Sequence, residues 1–196
     1  MKRIKLLALA MCSLASVTLH AQSRNANGTT EGYQPFIELN TGLYTDDDHF
    51  TTFEVTTSHG VQLNSKFFVG GGIGLSTYHH SSHDEHDFDD KFSVSIPVFA
   101  NFKWNILNKK YSPVLDVKAG YSIGGEIEDN DGKPTEGYMF SDGPTGVFAS
   151  VGVGCRIALG THAIVPQLTF KNISPKKNHG YKDQVGFMMI GVTYEF

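Results

Sequence analysis

The sequence predicts an all-β protein in which eight antiparallel strands run up and down and close into a transmembrane β-barrel. Apolar and polar residues alternate with a period of two in eight segments, which is the pattern of strands that have one apolar face. Every segment is longer than the roughly 5–6 residues of a common soluble strand and reaches the length of about 9–11 residues that crosses a bilayer core. The links between the segments alternate short and long, as they do in up-and-down membrane barrels.

The eight segments follow one another with no convincing helix between them. We expect strands at 34–44, 51–63, 66–78, 92–104, 113–125, 145–158, 162–173 and 185–196. Five of them show an apolar face most clearly: Ile37, Leu39 and Leu43; Phe92, Val94, Ile96, Val98, Ala100, Phe102 and Trp104; Leu115, Val117, Ala119, Tyr121 and Ile123; Val151, Val153, Cys155 and Ile157; and Met188, Ile190, Val192, Tyr194 and Phe196.

The opposite faces are rich in Gly, Ser and other small residues and carry a few charges of both signs. This composition suits a narrow lumen in which side chains from eight strands meet, because a face exposed to water would carry more Lys and Glu. We expect such a lumen to be filled by side chains and therefore unsuited to solute diffusion. Six charged residues should point inward and form at least one charge pair: Glu38, Glu54, Lys103, Asp116, Lys118 and Arg156.

Aromatic residues gather near the segment ends, as they do in the interfacial girdles of membrane barrels. They are Tyr33, Tyr44, Phe67, Tyr78, Phe92, Trp104, Tyr111, Tyr194 and Phe196.

The link lengths predict the orientation of the barrel. Short links are expected at 64–65, 106–112 and 159–161, and longer ones at 79–91, 126–144 and 174–184. With both termini in the periplasm, the short links become periplasmic turns. The long links, together with residues 46–50, then become extracellular loops.

The front of the chain has the features of a secretory signal. Lys2, Arg3 and Lys5 precede an apolar run, and the small residue Ala21 offers a cleavage site. The run is shorter than the roughly 20 residues of a membrane-spanning helix. We therefore divide the chain into a signal peptide at 1–21, a short N-terminal linker at 22–33 and a barrel domain at 34–196.

The net charge argues against a nucleic-acid partner, and the cysteine content argues against an internal disulfide. Removing the signal takes away three cations and lowers the formal net charge from −4 to −7, which argues against a nucleic-acid partner. Cys155 is then the one remaining thiol, so an internal disulfide is not expected.

Five stretches of the chain resemble small outer-membrane β-barrels of the OmpA/OmpX-like type, and in particular the porin-family barrels of Bacteroidota. They are "GVQLNSKFFVGGGIGLS", "FSVSIPVFANFKWNI", "PVLDVKAGYSIGG", "VGVGCRIAL" and the terminal "IGVTYEF". The resemblance implies a monomeric barrel in the cell outer membrane, surrounded by its lipid, with no catalytic residues and no cofactor. It also implies that Val192, Tyr194 and Phe196 form a signal that the outer-membrane assembly machinery recognises.

One link carries candidate metal ligands, because "YHHSSHDEHDFDD" combines imidazoles with carboxylates. The histidines are His79, His80, His83 and His86. Their spacing matches no defined tetrahedral site, so we predict no metal centre and interpret the segment as a solvated acidic loop.

We expect a non-enzymatic outer-membrane protein with a structural or surface-interaction role of the adhesion type, exerted on an extracellular ligand through its outer loops. Two alternatives remain open. One is a soluble secreted barrel of lipocalin-like form, in which the apolar face would line a ligand cavity. The other is a lipid A-modifying barrel enzyme, for which His80, Ser82 and Glu85 come nearest to a His-Ser-acid arrangement.

Overall fold

The computed structural model describes residues 32–44, 50–81, 90–126, 145–175 and 185–196. These residues form eight strands: β1 (Gly32–Tyr44), β2 (Phe50–Gln62), β3 (Phe67–Ser81), β4 (Asp90–Asn105), β5 (Tyr111–Glu126), β6 (Gly146–Leu159), β7 (His162–Pro175) and β8 (Val185–Glu195). No helix among the described residues is long and apolar enough to span a bilayer.

The strands form one closed antiparallel barrel in which each strand pairs with its neighbours in sequence. Closure comes from β1 and β8, which pair from Phe36 opposite Glu195 to Tyr44 opposite Phe187. A closed sheet leaves no unpaired strand edge, and an unpaired edge is what a hydrocarbon environment penalises most. The predicted fold class is confirmed.

The strand boundaries differ from the predicted ones mainly at two links. β3 and β4 extend to Ser81 and Asp90, so the link between them is 82–89 and is shorter than expected. β5 begins at Tyr111, and Ser112 therefore lies inside the strand, not in the turn. There the buried Ser112 hydroxyl accepts a hydrogen bond from the Leu107 N–H at 3.0 Å, which fixes the end of the turn.

The two faces of the barrel separate as the alternation predicts. Large apolar side chains point away from the lumen, and among the most exposed are Ile190 (67%) and Leu43 (65%). The six charged residues predicted to point inward are all buried. The lipocalin-like alternative requires the apolar face inside, and the structure places that face outside.

One part of the lumen is apolar, which the sequence analysis did not predict. Seven buried side chains form an apolar cluster, most of them near the ends of the strands that lead into the long links: Tyr78, Phe99, Phe148, Ile173, Val185, Phe187 and Met189. Glycine makes room for it, because a Cβ at Gly72 would lie 2.4 Å from the Phe99 ring. Bulky rings thus fill this part of the barrel.

The predicted aromatic girdle is correct in part. Tyr33, Trp104 and Tyr111 are exposed on the outer surface near strand ends. Tyr78 is 3% exposed and points inward, because it shares the phase of the buried Ser76 along β3. The side chains of Tyr44 and Phe92 lie outside the described part of the structure.

Candidate functional site

Charged side chains of both signs occupy the barrel interior. Among the residues whose burial the structure describes, four acids (Glu38, Glu54, Asp116 and Glu195) and four bases (Lys103, Lys118, Arg156 and Lys171) are buried, each at most 5% exposed. Every one lies on the inward phase of its strand, and together they come from seven of the eight strands. The formal charges of this set balance, as a poorly hydrated interior requires.

The larger group of these charges begins near the middle of the barrel. Lys118 Nζ donates to both carboxylate oxygens of Glu38, at 2.7 and 2.8 Å, although the two residues are 80 positions apart. Lys118 also lies 3.7 Å from the Asp116 carboxylate. Asn40 and Thr193 donate further hydrogen bonds to Glu38, at 2.6 and 3.3 Å. Glu38 is thus held by three different strands.

The same group continues toward the short turns. Lys103 Nζ lies 3.8 Å from Asp116 and 3.5 Å from Glu195, and Arg156 Nε donates to Glu195 at 2.6 Å. Lys103 Nζ also lies 4.0 Å from the centroid of the Phe36 ring, a cation–π contact. Ion pairs therefore connect five strands, from β1 through β5 and β4 to β8 and β6.

A smaller group lies closer to the apolar cluster. Lys171 pairs with Glu54, and the Ser76 hydroxyl donates to Glu54 Oε2 at 2.6 Å. Lys171 Nζ also lies 4.8 Å from the centroid of the Phe148 ring, which belongs to the apolar cluster. The charged and apolar parts of the interior are therefore in direct contact. Buried side chains from all eight strands meet across the lumen.

The predicted charge pairs are present, and two partners were missed. Glu38, Glu54, Lys103, Asp116, Lys118 and Arg156 are all buried and paired, so the expectation of at least one inner charge pair is confirmed. Lys171, the partner of Glu54, and Glu195, the partner of Arg156, were not among the six predicted residues. The alternation of β7 would have placed Lys171 inward, because exposed Phe170 stands on the opposite face.

The proposed assembly residues lie on the outer face of β8. Val192 is 38% exposed, and Tyr194 is half-buried because it stacks on His162 with ring centroids 5.5 Å apart. The Phe196 ring meets Tyr194 edge-on at 4.9 Å. The three side chains form one continuous apolar strip at the end of the barrel that carries the short turns. Their role as a recognition signal stays a prediction.

The candidate metal and catalytic residues fall largely outside the described residues. His79 is exposed near the end of β3, and His80 belongs to the same strand. His83, His86, Ser82 and Glu85 all lie in 82–89, outside the described residues. Within the described ranges no group of three metal-ligating residues occurs. The expectation of no metal centre and the alternative of a His-Ser-acid arrangement therefore both stay predictions.

Solved structures of other barrels share this architecture. The barrel is similar to Neisserial surface protein A, with a TM-score of 0.52 and 13% identity over 84% of this chain and 96% of that chain. It is also similar to the outer membrane protein OprG from Pseudomonas aeruginosa, with a TM-score of 0.52 and 9% identity over 88% of this chain and 99% of that one. The chain has the fold of the small eight-stranded outer-membrane barrels.

Comparison of the sequence found no match, either to a family model or to a curated protein. At 9–13% identity the two structural likenesses show the fold and not an activity. The part of the resemblance that points to porin-family barrels of Bacteroidota stays a prediction.

Proposed function

We propose that this protein resides in the outer membrane and acts without catalysis, as a structural or surface-interaction protein of the adhesion type. The observation that carries the proposal is the distribution of polarity in a closed barrel. Large apolar side chains cover the outside, whereas ion pairs and a packed apolar cluster fill the inside. Such a surface suits lipid, and such an interior leaves little room for a substrate or a pore.

An interaction role belongs to the links at one end of the barrel. The links 45–49, 82–89, 127–144 and 176–184 all join strands at the end opposite the short turns. The turns at 63–66, 106–110 and 160–161 have at most five residues each, whereas all of these links except 45–49 have eight or more. A partner outside the cell would therefore contact the longer links. The signal peptide at 1–21 and the terminal strip of β8 supply the export and assembly steps that this location needs.

Cell fractionation combined with a gel assay tests the membrane part of the proposal. We expect the protein in the outer-membrane fraction and a heat-dependent shift in gel mobility, which is the behaviour of a folded membrane barrel. Recovery of the folded chain in the soluble periplasmic or secreted fraction, without detergent, would contradict the proposal.

Loop replacement tests the interaction part. Residues 82–89 and 127–144 are each replaced by a short Gly/Ser link, which leaves the eight strands unchanged. Cells that carry each variant are then screened for binding to host-surface and matrix components. We expect one replacement to abolish a binding activity while the heat-dependent shift is retained. The same replacement of 45–49 serves as the matched control.

The enzyme and metal alternatives have their own tests. Mass spectrometry of lipid A from cells with and without the protein should show no difference, and a lost acyl chain would favour the enzyme. Calorimetry with Zn²⁺ should show no tight uptake by the purified barrel. Tight uptake that disappears in the variant with His83→Ala and His86→Ala would establish a metal site in the link 82–89.

A further inference from the structure

Three lysines project from the end of the barrel that carries the short turns. Lys66 lies in the turn between β2 and β3, and Lys109 and Lys110 lie in the turn between β4 and β5. All three are exposed. A hydrogen bond from the Asn105 N–H to the Lys66 carbonyl oxygen, at 2.7 Å, ties the two turns together. The three cations therefore belong to one connected surface.

Both turns are held by internal hydrogen bonds. The Asn64 side-chain oxygen accepts from the N–H groups of Lys66 and Phe67, at 2.8 and 3.0 Å, which shapes the first turn. The second turn is joined to the next strand pair, because the Ala158 N–H donates to the Lys110 carbonyl oxygen at 2.9 Å. The backbone that carries the lysines is thus fixed at both turns, and only the flexible side chains need to be ordered by a ligand.

The same two turns expose aliphatic side chains. Leu63 is 57% exposed, Ile106 40% and Leu107 42%. Leu63 and Ile106 continue the outward phase of β2 and β4, so the apolar surface of the barrel extends into the turns. A turn immersed in water would gain nothing from this exposure, whereas a turn at the boundary between acyl chains and headgroups would bury it. We call Leu63, Lys66, Ile106, Leu107, Lys109 and Lys110 the cationic rim.

Aromatic rings flank the cationic rim on its membrane side. Phe67 stacks against both Phe102 and Trp104, with ring centroids 6.0 and 6.1 Å apart. Lys110 Nζ lies 5.7 Å from the centroid of the Tyr111 ring, and Tyr111 is 58% exposed. Trp and Tyr prefer the headgroup level of a bilayer. The rings therefore place the three ammonium groups at the depth of lipid phosphates.

The distribution of charged side chains differs between the two ends of the barrel. No described Asp or Glu side chain is exposed at the end with the short turns, and Glu195 there is buried and paired with Arg156. The interior charges balance, so they do not oppose the field of the rim. Three of the four links at the other end are rich in acids in the sequence, at 45–49, 82–89 and 127–144. Exposed cations without neighbouring acids therefore mark the end with the short turns, whereas the three lysines of the fourth link, 176–184, share their end with these acidic links.

We propose that the cationic rim binds the headgroups of anionic phospholipids in the leaflet that faces the short turns. The inference rests on the proposed membrane location and adds the lipid class and the leaflet. Exposed lysines alone would suit any anion. Their combination with exposed aliphatic and aromatic side chains on the same turns selects a ligand that carries a phosphate next to an acyl chain.

Trp104 offers a direct measurement, because it is the one tryptophan of the chain and lies beside the rim. The full mature barrel is folded into vesicles of phosphatidylcholine and phosphatidylglycerol in equal amounts, with bromine on the acyl chains of one lipid or the other. Brominated phosphatidylglycerol should quench Trp104 fluorescence about two-fold more than brominated phosphatidylcholine at low salt. The excess should shrink as salt screens the attraction.

A triple variant tests whether the lysines cause the enrichment. Lys66→Gln, Lys109→Gln and Lys110→Gln together should bring the two quenching values to equality. The matched control changes three lysines in the link 176–184, namely Lys176→Gln, Lys177→Gln and Lys182→Gln. It removes the same charge at the other end of the barrel and should keep the excess.

The heat-dependent gel shift on the same samples separates this inference from the proposed function. Equal quenching by the two lipids in a folded, inserted wild-type barrel overturns the inference and leaves the membrane barrel intact. A chain that does not insert into either kind of vesicle overturns both. Equal lipid quenching, together with salt-sensitive binding of an acidic peptide that the triple variant loses, would assign the rim to a protein partner instead.

Discussion

Lys118 is the position at which the charged interior can be tested most sharply. Its ammonium group lies 2.7 Å from Glu38 and 3.7 Å from Asp116, and all three side chains are buried. Lys118→Met keeps most of the length and volume of the side chain and removes the ammonium charge together with its hydrogen bonds to Glu38. The change leaves two carboxylates next to each other in the interior, where Lys103 is the remaining cation near Asp116.

The expected cost follows from these distances. At an effective dielectric constant of about 20, the attraction is about 6 kcal/mol for the pair with Glu38 and about 4 kcal/mol for the pair with Asp116. Burial of the ammonium group offsets much of this attraction in the wild-type protein. Loss of one partner of a buried pair typically costs about 3–5 kcal/mol, because the other charge stays buried without compensation. We expect a loss in this range for Lys118→Met.

Unfolding by guanidinium chloride in zwitterionic detergent or lipid measures the loss, with Trp104 fluorescence and the heat-dependent gel shift as two probes. The double variant Lys118→Met and Glu38→Gln should recover about 2 kcal/mol or more of stability, since it removes the orphaned acid as well. Lys109→Met is the matched control at an exposed position, with an expected change within about 0.5 kcal/mol.

A loss below about 1 kcal/mol for Lys118→Met would refute the reasoning, because it would mean that water or neighbouring groups already neutralise Glu38. Equal stability of the single and the double variant would also refute it. That result would show that the cost comes from packing of the lysine stem and not from its charge.

Three further predictions concern the sheet, the lipid face and the terminus. Gly120→Ala should destabilise the barrel by about 1–3 kcal/mol in the same unfolding assay, because the new Cβ would lie 2.1 Å from a β4 carbonyl oxygen. Gly152→Ala should cost less, because the atom nearest to its new Cβ is a hydroxyl oxygen 3.0 Å away. Ile190→Lys, near the middle of β8, should cost about 2–4 kcal/mol, and Tyr194→Lys, near the end, about 0–1 kcal/mol; equal costs would contradict a lipid-facing strand. Deleting Phe196 should lower the amount of folded protein in the outer-membrane fraction more than shortening the 127–144 link does, and equal recovery would contradict its role in assembly.

The architecture follows from the sequence because the period-two alternation reports directly which side of the sheet each residue occupies. Glu38 and Lys118 were assigned to the lumen for this reason, and the structure confirms both. Their pairing across 80 residues was not predictable. It depends on how far each strand is shifted along its neighbours around the closed barrel, and the alternation carries no information about that shift.

The apolar cluster in the lumen was missed for a related reason. Around Phe187 and Met189 the sequence reads "VGFMMIG", in which apolar residues occupy both faces and the alternation disappears. Tyr78 was assigned to the girdle because it stands near a strand end, but its phase along β3 points inward. The phase of a residue along its strand therefore predicts the direction of its side chain better than proximity to a strand end does. An apolar run without alternation indicates a strand that is apolar on both faces.

The inside-out polarity of this barrel determines where its stability must come from. In the proposed membrane location, apolar side chains on the outer face contact lipid tails, so they gain little compared with an unfolded chain that already lies in lipid. The stabilising terms that remain are the backbone hydrogen bonds of the closed sheet and the contacts of the interior. A single unpaired strand edge or an uncompensated interior charge therefore lowers the stability of the barrel more than the loss of a surface side chain does. The pairing of β1 with β8 and the balanced set of eight interior charges are therefore the two features on which the fold depends most.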